Sequence, residues 1–513
     1  MSVDKIDNKR IAKNTGALYI RMLLVMLVTL YTSRVILETL GVEDFGIYNI
    51  VGGFVSILSF FSSSLSNVTQ RYLNIKLGER DIIGANHIFC QSIVLFAFFS
   101  FLLLIVGETI GLWFVENKLV IPAERQYAAW WIFQFSLITT VLAILQIPFI
   151  SVIVARERMG VYAYIGVFEA VSRLSIAYAL LLVDNSDKLI LYGGLLAFVQ
   201  ILILIYYAGY CFFMFPECRF YFYWENVLVK KMGSFISYNL FGCFAWAVSV
   251  QGVNIVLNLF FGPTMNAARA ISVQVNAAVV SFTESIITAI KPQVIKSYAK
   301  GEYSNMYELI EKSSKFSFFL ILLLSTPILF QTEFILNIWL NNVPDFTILF
   351  VRLIVIESLI YSFVPPLWIA INATGRIKNS QTYGRLLTFS VLPASYLLLK
   401  FYLIPWIPFV LFIIAQLMYF IYNLNDVSRQ IGLNVNAYIK LVIYPSMKVL
   451  LNVILVLFII RYILGFSKMN SIVEIVLSLL VVVLSVCLFG VDKNERHYIS
   501  LFVKKILKIE SDL

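Results

Sequence analysis

The sequence predicts an all-α polytopic membrane protein. It has about fourteen transmembrane helices: two six-helix lobes related by a parallel repeat, then two more helices. Three observations lead there. The 513 residues are 60% hydrophobic and only 13% charged, where a soluble domain carries roughly 25%. Apolar stretches long enough to cross a bilayer recur along the whole chain. Lys and Arg alternate between the intervening loops.

The stretches are 16–38, 46–68, 87–108, 127–154, 160–183, 189–214, 233–260, 267–290, 315–336, 347–372, 381–403, 406–425, 441–464 and 471–490. A crossing needs about 20 residues, and the longer ones fit tilted helices. Loops on one side hold about 26 Lys and Arg, against about 6 on the other. The positive-inside rule then places both termini in the cytosol. The same rule accounts for the net charge of +10 without a nucleic-acid partner. The first apolar run is too long for a signal-peptide core and is read as a span that stays in the membrane.

The seventh and eighth spans echo the first and second. Val35-Ile36-Leu37-Glu38-Thr39-Leu40-Gly41 is matched 221 residues on by Val256-Leu257-Asn258-Leu259-Phe260-Phe261-Gly262. Lys76-Leu77-Gly78-Glu79 is matched by Ala299-Lys300-Gly301-Glu302 at an offset of 223. Both copies start from the same side, so the repeat is parallel, and parallel repeats place a substrate site between two bundles. The organisation that follows is a cytosolic tail at 1–14, an N-lobe at 15–214 and a cytosolic connector at 215–232. A C-lobe at 233–425, two extra spans within 426–490 and an amphipathic cytosolic tail at 491–513 complete it.

Charge inside these spans is mostly arginine: Arg34, Arg173, Arg269, Arg352 and Arg385, accompanied by Glu169, Glu284 and Glu357. Ionisable groups at that depth face water or a partner rather than lipid. A cationic interior implies anionic cargo. Arg suits phosphate and pyrophosphate, because its planar fork binds two oxygens at once. The seventh span carries Gln251, Asn254 and Asn258 on one helical face, and the eighth carries Arg269, Ser272, Asn276, Thr283 and Glu284. The second has Asn49, Ser56 and Ser63. The polar helices are thus the repeated ones, as expected if they face a shared aqueous cleft.

The candidate substrate-binding residues are therefore Arg34, Arg269, Asn254, Asn258, Arg352 and Arg173. Interhelical hydrogen bonding is the competing role for the Ser, Thr and Asn residues. Glu169 and Arg173, four apart, can pair on one face. Arg352 and Glu357, five apart, point different ways and need separate partners. Arg269 and Glu284 lie roughly 22 Å apart along one face. Arg385 sits close to a cytosolic end and can snorkel.

The five cysteines (Cys90, Cys211, Cys218, Cys243, Cys487) are scattered, and His87 and His497 are far apart. No metal site or disulfide framework is indicated, and no cofactor is expected. No phosphate-binding loop of the ATPase type is present, so direct ATP use is not expected.

Leu30-Tyr31-Thr32-Ser33-Arg34, then Leu40-Gly41-Val42-Glu43-Asp44-Phe45-Gly46-Ile47-Tyr48, and Ser64-Leu65-Ser66-Asn67-Val68-Thr69-Gln70-Arg71-Tyr72 carry a resemblance. They resemble O-antigen (Wzx-type) flippases of the multidrug/oligosaccharidyl-lipid/polysaccharide (MOP) exporter superfamily. The resemblance is strongest over 14–80 and extends to the whole chain in topology.

It implies a MATE-like bundle working by alternating access in the bacterial inner membrane. It implies cargo of undecaprenyl-pyrophosphate-linked oligosaccharide for lipopolysaccharide or other surface polysaccharide, and partners among the polysaccharide-assembly proteins. Arg34 and Arg269 are the nearest equivalents of cavity arginines in related lipid-precursor flippases. Relatives couple to Na+ or H+. The first two spans hold no Asp within their apolar cores, so Glu284 and Glu357 become the ion-coupling candidates. The alternatives are a drug/cation antiporter, expected to have net acidic spans, and a polytopic polymerase, ligase or glycosyltransferase. Such an enzyme needs a hydrophilic catalytic loop, and the outer loops here are short.

Overall fold

Hydropathy dictates helices, and helices are what form. The computed structural model describes residues 8–57, 66, 69–70, 72–74, 76–77, 79–156, 158–183, 187–226, 244, 247–464, 471–492 and 495. Side chains are described from Leu23 onward, apart from those of 159, 285, 288–289, 292, 296 and 299. Among the described residues there is no strand. Each of the fourteen apolar stretches is helical over most of its described length. Among the described residues nine helices are long and apolar enough to cross a membrane, and the bent pair Thr347–Tyr361 and Val364–Thr374 makes a tenth if it is one span. The chain is a multi-pass membrane protein. Most of the connector beyond Asn226, the start of the seventh span, Ser63, Cys243, His497 and the tail from 496 lie outside the described residues.

The first two spans are two helices within Asn8–Ile57, the first element, that meet at Gly41 with φ +79° and ψ 171°. The repeat places Gly262 at the corresponding point, and it has φ +75°. It separates the Ala247–Phe261 helix from Pro263–Ala299. A left-handed residue ends a helix most easily when it has no Cβ. Pro263 then starts the next helix, where its missing N–H is no loss. The two copies of the repeat thus share their turn chemistry.

The chain packs as two units, Met1–Gln274 with Trp339–Thr347 and Gln381–Leu411, and Val275–Ile338 with Ile348–Ser380 and Phe412–Leu513. The first contains the helices Gln126–Leu145, Met159–Ala179 and Lys188–Met214 around the first element. Its core includes Ile47, Ile50, Val51, Phe96, Ile132, Phe133 and Leu189. Loops that alternate to one side in the sequence meet at one end. Arg125 bridges Asp44 and Asp187, and Asp187 also caps the Lys188–Met214 helix. Loops of the basic side meet too. Arg156 pairs with Glu217 at 2.6 Å, and Asn86 donates to the carbonyls of Glu217 and Arg219.

In the second unit, the helix Tyr303–Phe330 packs against the last two spans around Phe318, Leu322, Leu367, Tyr438 and Val449. Lys315 pairs with Glu495 there at 2.7 Å, and Arg461 pairs with Glu474. Leu451, Leu455, Phe458 and Tyr462 of the Tyr444–Leu464 helix remain exposed. Such apolar surface suits acyl chains, as expected of spans outside the repeat.

Gly46 marks the tightest approach in the first unit. A Cβ added there would run into the backbone of Pro263, 2.6 Å from its carbonyl carbon. Small residues let helices approach this closely inside a membrane. Gly46→Ala is expected to lower stability by about 1–3 kcal/mol through overpacking. Thermal melting of the purified protein in detergent reads it. Gly41→Ala meets no neighbour within 4 Å, but φ +79° with ψ 171° is a glycine-only region, so its cost of about 1–3 kcal/mol should come from backbone strain instead.

Candidate anion-binding cavity

Polar side chains from six helical segments converge inside the first unit around a cavity of about 490 Å³. The first element contributes Tyr48, Asn49, Gly52, Gly53 and Ser56, and the Gln126–Leu145 helix contributes Ser136, Thr139 and Thr140. Glu169 and Arg173 come from Met159–Ala179, and Gln200 from Lys188–Met214. Gln251 and Asn254 come from Ala247–Phe261, and Arg269 and Gln274 from Pro263–Ala299. Helical spacing explains the groupings: residues three and four apart share a face. Gly53 keeps the wall close, since a Cβ there would lie 2.7 Å from Gln251 Oε1 and 3.1 Å from Asn254 Nδ2.

Arg269 is the most informative of these groups. The residue is 7% exposed, and one terminal nitrogen donates to the Val250 carbonyl at 2.6 Å. Among the described residues it has no acidic partner, and four of its five N–H donors are unused by protein. Asn254 is fixed by Asn266, which donates to both its carbonyl and its Oδ1 at 2.7 Å, and it donates to the Asn49 carbonyl at 3.3 Å. Arg173 pairs with Glu169 at 2.9 Å, and the two side chains keep 43% and 39% of their surface open. The charged lining residues are therefore two arginines and one glutamate. The cavity is cationic.

The other sequence candidates lie elsewhere. Asn258 accepts from the Val120 N–H at 2.9 Å and donates to its carbonyl at 3.2 Å, holding the 118–121 turn. Arg34 donates to Asn341 Oδ1 at 2.8 Å, near the Tyr31–Tyr178 hydroxyl contact and the Trp339 bond to the Leu30 carbonyl. Arg352 donates to Thr332 at 3.0 Å. Glu357 is half-buried with no hydrogen-bond partner among the described residues, and Glu284 is exposed. None of these five lines the cavity. Ser136, Thr139, Thr140, Gln200 and Tyr48 escaped the sequence reading. The i, i+3, i+4 spacing of Ser136, Thr139 and Thr140, and the lone Gln200 in an apolar span, were the available signals.

No family profile and no curated protein matches the sequence. Solved structures do match in shape. A multidrug-resistance MATE transporter of the MOP superfamily in its inward-facing conformation superposes with TM-score 0.67 at 12% identity, over 81% of this chain and 98% of that one. The lipid II flippase MurJ, in an inward closed conformation, gives 0.65 at 12% identity over 92% and 98%. A MOP-superfamily transporter from Pyrococcus furiosus, described as having a binding pocket of reverse polarity, gives 0.57 at 12% over 82% and 96%. The fold is that of the MOP-superfamily transporters. All three neighbours are transporters or flippases, and the all-α, many-spanning architecture read from the sequence agrees with theirs.

Proposed function

We propose that this protein is a flippase for polyprenyl-pyrophosphate-linked oligosaccharide, serving surface polysaccharide or O-antigen assembly. It works by alternating access in the bacterial inner membrane, with both termini in the cytosol. The observation that carries the reading is Arg269: a buried guanidinium facing a cavity, without a carboxylate among the described residues. An uncompensated buried charge is costly, and arginine cannot escape by losing its proton. A ligand phosphate supplies the missing countercharge through two parallel hydrogen bonds. Arg173 and Asn254 complete the headgroup site, with Ser136, Thr139, Thr140 and Gln200 offering hydroxyl and amide groups to the first sugars. The MurJ neighbour, described as a lipid II flippase, moves a lipid-linked cargo, which favours the same class of substrate.

Glu357 is the leading site for coupling to Na+ or H+, with Glu284 second. Arg34, Asn258 and Arg352 stay outside the headgroup site in this reading. A MATE-like drug/cation antiporter is the second reading, favoured by the MATE neighbour. A cavity with two arginines to one glutamate repels its cations. Gene deletion followed by analysis of lipid-linked intermediates tests the proposal. Complete repeat units should accumulate on the cytosolic leaflet. Incomplete units would point to an enzyme, and normal units with altered drug sensitivity to an antiporter.

A further inference from the structure

The two cavity arginines are prepared differently. Arg269 is buried without an acid among the described residues, while Arg173 carries its own carboxylate one turn away on the same helix. Glu169 is the one carboxylate among the lining residues, and Tyr48 is the other titratable group facing this wall besides the arginines. The pair is not sealed, because both side chains keep about two-fifths of their surface open to the cavity. A single hydrogen bond at 2.9 Å joins them, and among the described residues the rest of the Arg173 fork donates to no protein acceptor. A partly open i, i+4 pair is weak. A doubly hydrogen-bonded phosphate is stronger.

We propose that Glu169 is a built-in counter-anion that trades places with the substrate on Arg173: the phosphate headgroup displaces it on binding, and it returns as the headgroup leaves. The inference rests on the cavity being an anionic-headgroup site. Its consequence is kinetic. A transporter must release what it binds, and two arginines closing on a pyrophosphate would hold it too long. A resident competitor weakens the complex and gives Arg173 a partner in the empty state.

The test uses the purified full chain in detergent with inorganic pyrophosphate as probe. Affinity and dissociation rate are compared for the wild type and Glu169→Gln, alongside pyrophosphate-induced infrared difference spectra in the carboxylate region. Removing the competitor should tighten pyrophosphate about 2- to 5-fold, mostly through slower dissociation. The wild type should show a carboxylate band that shifts on binding and is missing from Glu169→Gln. Unchanged affinity overturns the exchange. Tighter binding without a wild-type carboxylate band also overturns it, because the pair then stays closed and Glu169 acts only through its field. If the wild type and Arg269→Met bind pyrophosphate equally or not at all, the headgroup site itself fails, and the exchange with it.

Discussion

Arg269→Met is expected to make the protein more stable and to weaken its binding of pyrophosphate sharply. The residue is 7% exposed and, among the described residues, makes one hydrogen bond, to the Val250 carbonyl. A buried ion without a partner is destabilising, and apolar replacements of similar volume commonly gain about 1–4 kcal/mol. Melting temperature in detergent should therefore rise. Binding of pyrophosphate should fall by about one and a half to three and a half orders of magnitude, the roughly 2–5 kcal/mol attached to losing one partner of a buried charge pair. Arg269→Lys should rescue only partly, since an ammonium offers a point charge rather than a fork. The opposite pattern, lower stability with binding intact, would make the bond to Val250 the true role of Arg269.

Arg156→Ala should be the most destabilising single change at the basic end of the first unit. The Glu217 side chain is fully buried, its Oε1 receives the Arg156 Nε at 2.6 Å, and its Oε2 has no hydrogen-bond partner among the described residues. The carboxylate also holds the Arg156 guanidinium above its ordinary range, chiefly through that hydrogen bond. Removing the arginine strands a buried carboxylate without its partner, at a cost of about 3–5 kcal/mol. Arg156 lies 5.9 Å from the Phe215 ring, so some packing is lost as well. Glu217→Gln in the Arg156→Ala background should recover most of the loss. A double-mutant cycle on melting temperatures measures this, and additive effects would mean the pair carries no coupling.

Most of the fold was legible because bilayer crossing is a composition problem. Twenty apolar residues must be helical in lipid, since no other structure within one segment satisfies the backbone. Gly41 and Gly262, matched in the sequence, answer the same need, a positive-φ turn between helices. The sharpness of that turn was not legible, because Glu38, Glu43 and Asp44 read as a loop, whereas helix runs up to Gly41 and on from it.

The site was legible in part. Arg173, Arg269 and Asn254 declared themselves as polar groups in apolar spans, and the structure brings them to one cavity. Asn258 has the same local signature. Its partner, the Val120 backbone, lies 138 residues away, and helical periodicity carries no information over that distance. Arg34 and Arg352 took Asn341 and Thr332 for the same long-range reason. Gln200 was hidden by its own isolation.

The most direct measurement is a pair of melting curves of the wild-type protein, with and without inorganic pyrophosphate. A ligand held only by the folded state raises stability by about 2.7 kcal/mol at a hundred times its dissociation constant. Pyrophosphate should raise the wild-type melting temperature and leave that of Arg269→Met unchanged. If an organic cation stabilises the wild type and pyrophosphate does not, the cavity was built for a different cargo.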